Sequence, residues 1–163
     1  MRILKAVFSA VTGLLLGTSV LGAQGATTPV TATVLPPISV TGTNLDFGVV
    51  TAGVSKTILA ASSAAGTFLI SAQSNTAVQF SFTLPADLTL GPNSMPIGSW
   101  SGRFNTSNSQ PTATAFTPSG TPQGATTAAS GKLNVWIGAT VNPAPGQVGG
   151  TYTGSIVINV VYQ

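Results

Sequence analysis

From Lys132 to Val141 one register of the sequence is wholly apolar, with Leu133, Val135, Ile137, Ala139 and Val141 at every second position. Successive side chains of an extended chain point to opposite faces, so this spacing puts all five on one side of a strand. The same two-residue period runs through residues 30–34, stops at Pro36-Pro37, and resumes over 38–41. Residues 45–50 follow a Gly42-Thr-Asn44 turn, and residues 56–61, 67–71 and 78–84 give further short blocks. Residues 151–163 form the last one. It places Tyr152, Ile156, Ile158, Val160 and Tyr162 on one face, interrupted at Gly154. Thr, Val, Ile and Phe fill these blocks, while Gly, Pro and Asn separate them, which is the signature of strands joined by turns. No block beyond residue 25 has helical spacing. The pattern predicts an all-β fold, an antiparallel Ig-like β-sandwich.

The N-terminus carries a different signal. Arg2 and Lys5 flank an apolar run over residues 6–16, which gives way to small residues at 21–26. A short basic segment, an apolar segment and a small-residue exit form a secretory signal peptide. Residues 1–25 are read as that signal, with cleavage after Gly25, or alternatively after Ala23. The apolar run is shorter than the ~20 residues a spanning helix needs, so no transmembrane segment is expected after cleavage. The mature chain is then a single domain, residues 26–163, exported to the periplasm and onward to the cell surface.

Charge narrows the function. Only 4% of the chain is Asp, Glu, Lys or Arg, against a usual ~25%. Removing the signal takes Arg2 and Lys5 with it. Lys56, Arg103 and Lys132 then face Asp46 and Asp87, for a net charge of +1. Three scattered cations cannot neutralise a run of phosphates, so nucleic acid is not an expected partner. With no His and no Cys, an imidazole base, a thiolate nucleophile and the common metal-ligand sets are all missing. An enzyme is not expected, nor is a metal or other cofactor. Asp46, next to Phe47-Gly48, is read as the hydrogen-bond acceptor of a turn.

Residues 105–131 are rich in Ser, Thr, Gln, Pro and Gly, with Phe116 the one large apolar residue. They are expected to form a long surface loop, with at most one edge strand and little contribution to the core. Trp100 and Trp136 are the candidate ligand contacts, because an exposed indole can stack on a sugar. A stand-alone secreted carbohydrate-binding module is therefore the alternative function. A small outer-membrane barrel would need an apolar outward band on each strand with aromatic girdles, and 7% aromatic residues do not supply them.

A sandwich of this composition has an edge problem. Proteins guard exposed strand edges with charges, Pro or bulges, and here five charges serve the whole mature chain. The termini suggest a use for open edges. Residues 26–35 form an alternating Thr/Ala/Val arm, with Val30, Ala32 and Val34 on one face. The C-terminus ends on a penultimate aromatic, Tyr162, with Gly150 the fourteenth residue from the end. This ending resembles that of chaperone–usher pilins. The blocks Leu45-Asp-Phe-Gly48 and Gly150-Thr-Tyr-Thr-Gly154, the latter running into 156–162, are similar to the bacterial secreted family named domain of unknown function 4402. They also resemble the archaic pilins of the Csu and spore-coat-U type. Csu-type subunits commonly carry a disulfide, which this chain cannot form. The resemblance implies a pilin-like sandwich that polymerises with itself into a fimbrial or pilus fibre serving cell adhesion, by strand addition. It implies a periplasmic chaperone and an usher as further partners. It gives Val30, Ala32, Val34, Gly150, Ile156, Ile158, Val160 and Tyr162 the pairing role.

Overall fold

The computed structural model describes residues 24–163; the signal read at residues 1–25 lies, but for its last two residues, outside them. Among the described residues there are ten strands and no helix. They are β1 (Ser39–Thr43), β2 (Lys56–Ile58), β3 (Gly66–Ser71), β4 (Ala77–Thr83) and β5 (Asp87–Leu90), then β6 (Asn93–Asn105), β7 (Thr114–Phe116), β8 (Gln123–Thr126), β9 (Lys132–Val141) and β10 (Val157–Tyr162). Seven form one antiparallel sheet in the order β1-β3-β9-β6-β5, with β2 also on β9 and β7 also on β6. The other three form a second sheet, β10-β4-β8. The two sheets face each other as a β-sandwich. The domain spans Val34–Gln163, and residues 24–33 belong to a separate unit. That stretch is exposed and contains no strand, so the alternation over residues 30–34 does not form a strand within the single chain.

Strand β9 is the middle of the large sheet and behaves as its alternation requires. Leu133, Val135, Ile137, Ala139 and Val141 are all 0–1% exposed. The first three meet Ile70 from β3 and Val78, Phe80 and Phe82 from β4, which together make the main core. Phe80 packs edge-on against both Phe104 and Phe116, with ring centroids 5.6 and 5.4 Å apart. Edge-to-face pairs of this kind add to plain area burial. A second cluster of Met95, Ile97, Ala139 and Val141 continues the interior toward β5.

Three expectations are corrected, and one strand was not foreseen. Gly42-Thr-Asn44 is not a turn, since Gly42 and Thr43 are the last two residues of β1 and pair with Phe68 and Thr67. Residues 45–50 are not a strand: Gly48 takes a positive φ of 58°, and its amide donates to Asp46 Oδ1 at 2.7 Å. Leu45, Phe47 and Val50 still pack on the second cluster, so the apolar spacing there serves a packed turn. Residues 105–131 are more than a loop. They contain β7 and β8, bury Ala113 and Thr127, and bring Phe116 into the aromatic cluster. Phe116 fits because its partner across the ladder is Gly102, and a Cβ on Gly102 would collide with the ring. Finally, β6 runs for 13 residues through a segment without clear alternation. Its ladder with β9 slips between Gly98 and Ser101, and Ser99 there has φ 48°. This is a β-bulge, which bends the strand and sends Trp100 toward both clusters.

Because Phe80 is 1% exposed and touches three other rings, Phe82 of its own strand, Phe104 of β6 and Phe116 of β7, Phe80→Ala is expected to cost about 3–5 kcal/mol. Urea denaturation should show the midpoint falling with an unchanged slope.

Candidate strand-pairing margin

Strand β10 borders the small sheet and pairs on one side only, with β4. The register sets Ile158 opposite Phe82, Val160 opposite Phe80 and Tyr162 opposite Val78. Directly opposed residues share a face of the sheet, so all three β10 side chains point into the core. Their β4 partners are 3%, 1% and 0% exposed, yet Ile158, Val160 and Tyr162 are only half-buried. Ile156, just before the strand, is half-buried too.

The large sheet has a matching border in β1. It pairs only with β3, with Val40 opposite Ile70 and Gly42 opposite Phe68. Val40 therefore faces the same side as fully buried Ile70, but it is 38% exposed. Neither β1 nor β10 contains a charged residue or a proline, so neither edge is guarded in the usual way. The two borders come together at one end through Tyr162. Its hydroxyl donates to the Pro36 carbonyl at 2.7 Å and accepts the Gln73 amide at 2.9 Å. The result is an uncharged margin with a free backbone edge on each wall and apolar side chains between them.

The sequence-derived residues divide clearly. Ile156, Ile158, Val160 and Tyr162 line this margin together, against the first core cluster. Tyr152 does not; it packs on the second cluster and binds Gln147 and the Val148 carbonyl. Gly150 also lies elsewhere. Its φ is 150° and a Cβ there would strike Leu90 of β5, so its placement answers to turn packing. Val30 and Val34 are 95% and 90% exposed, and Ala32 is exposed as well. Trp136 is 5% exposed in a cluster with Ala60, Ala65 and Ala113, which leaves too little of the ring for a sugar to stack on. Trp100 is half-buried between the two clusters. The β1 wall was missed from sequence: Ile38 and Val40 carry the alternation, but nothing in it tells an open border from a covered one. Among the described residues no cluster of three or more acidic, His or Cys side chains could hold a metal, and no helix is long and apolar enough to cross a membrane.

The chain matches the family model described as domain of unknown function (DUF4402) over residues 23–162, and it belongs to that family. Comparison with curated proteins and with solved structures gives no match.

Tyr162→Phe keeps the ring and removes both hydroxyl bonds, leaving the Gln73 amide to find water. It is expected to cost about 1–2 kcal/mol in a denaturation experiment, without change in the β content read by circular dichroism.

Proposed function

We propose that this chain is an exported structural subunit of a surface fibre, joined to its neighbours by strand addition. Residues 27–35 of one subunit enter the margin between β1 and β10 of the next. The contrast across the β4–β10 ladder carries this reading: opposed residues on one face of one sheet are buried on β4 and half-exposed on β10. A further strand laid along the margin would cover Ile156, Ile158, Val160 and Val40 together. It would also give main-chain partners to two free edges.

The arm suits that place. Val30, Ala32 and Val34 stand at every second position, and burying a valine contributes about 1.5–3 kcal/mol. Ordering the arm opposes this by about 1–2 kcal/mol per residue. Side-chain burial by itself does not suffice, and backbone pairing has to supply the remainder. A margin with free edges on both walls offers twice the pairing of a single edge. The near-absence of charge supports the same reading, since copies packed side by side meet little like-charge repulsion.

The likeness of the ending to Csu-type and spore-coat-U pilins supports a finer version. In it, a periplasmic chaperone covers the margin before assembly and an usher delivers the subunit to the surface. Deleting residues 26–35 should then abolish polymer while leaving a folded, chaperone-bound subunit. Polymers of unchanged length from that deletion, seen by size-exclusion chromatography or electron microscopy, would sink the proposal.

A further inference from the structure

We infer that Pro36-Pro37 reserves the open margin for the arm of a second copy, by denying it to the chain's own arm. The inference rests on the donor-strand reading above and adds what selects the donor. The selection problem is real. The Tyr162 hydroxyl holds the Pro36 carbonyl at 2.7 Å, so the root of the arm is fixed beside the C-terminal end of β10, at one end of the margin. A tethered arm has an effective concentration in the millimolar range. Without some obstacle, closure within one chain outcompetes a neighbour at any ordinary protein concentration.

The shortest such closure is a hairpin between the arm and the free edge of β1. With Pro36-Pro37 as a two-residue loop, Leu35 stands opposite Ile38. Tight hairpins of this length need a positive φ at one or both loop residues, and proline holds φ near −65°. The register fails as well. Ile38 packs on the core, so a partner opposite it also points inward. Leu35, Thr33 and Thr31 would then enter the core, and Val34, Ala32 and Val30 would face water. A three-residue loop, 35–37, corrects the face by setting Val34 opposite Ile38. That loop takes a type I turn followed by a left-handed residue, and the left-handed position falls on Pro37. Widening the loop to 34–38 keeps the face but removes Val34 and Ile38, one apolar residue from each side. An arm from another copy approaches without a turn and meets none of these obstacles.

The double variant Pro36→Asn/Pro37→Gly supplies the three-residue loop that the register requires, with glycine at the left-handed position, and keeps the carbonyl that Tyr162 binds. The experiment compares the mature chain, residues 26–163, with this variant by size-exclusion chromatography and thermal melting. The wild type should assemble and the variant should lose the oligomers and run as a monomer. Adding Val34→Asp to the variant should lower its melting temperature by several degrees, because the arm is seated. A variant that assembles like the wild type overturns this inference and leaves the donor-strand reading standing. So does a monomeric variant indifferent to Val34→Asp. A wild type that never assembles removes the donor-strand reading and this inference with it. A second measurement needs no variant: amides 30–34 of the dilute wild-type monomer should exchange hydrogen without protection. Protection there would mean that the arm closes its own margin, against the inference.

Discussion

Every core-facing side chain on a sheet needs a neighbour on both sides to leave water, and along the margin between β1 and β10 there is a neighbour on one side only. The rest of the molecule is arranged around that constraint. Inside, β4 and β9 meet through Val78, Phe80, Phe82, Leu133, Val135 and Ile137, all at most 3% exposed. One strand further out the same face is half-open. The difference lies in strand order, since the β10 residues are as apolar as their β4 partners. A strand added at that border would complete the layer, which is why the proposed function places another copy's arm there.

The other edges are treated differently. β6 is bent by its bulge, and its far half is covered by β7, whose Phe116 lies over Gly102. β2 lies along the outer part of β9. Scarce charges are spent on loops near these places: Lys56 donates to the Val49 carbonyl at 3.0 Å, and Arg103 to the Gln110 carbonyl at 3.2 Å. None lies on β1 or β10. β7 and β8 are uncharged edges too, but they are only three and four residues long, so the longer uncharged edges are those of β1 and β10.

How much of this was legible in the sequence follows from where the two-residue period stays intact. β9 was readable to the residue because both its neighbours are strands and its inward register stays apolar from Leu133 to Val141. β10 was readable in face, although its pairing begins only at Val157, because Gly150 and Gly154 belong to a packed turn against β5. β6 was hidden. Pro96, Gly98 and Gly102 break its pattern, and the bulge at Ser99 shifts the parity halfway along. Residues 45–50 misled in the opposite sense, since their apolar spacing serves a turn closed by Asp46 and Gly48. Phe116 could not be placed from its own polar surroundings, because the space it fills is made by a glycine on another strand. The open margin itself was the least visible feature. Alternation says which side chains face inward, and strand order decides whether anything lies beside them.

The absence of cysteine from the chain makes a direct test clean. Mature chains carrying Val34→Cys are mixed with chains carrying Ile156→Cys, Ile158→Cys or Val160→Cys, and the mixtures are oxidised gently. A disulfide between two different chains forms only if the arm of one lies in the margin of the other. The account predicts a linked heterodimer for at least one of the three β10-side positions, and none when Val34→Cys is mixed with Val135→Cys, whose side chain is closed in the core. No heterodimer at any of the three positions would contradict it.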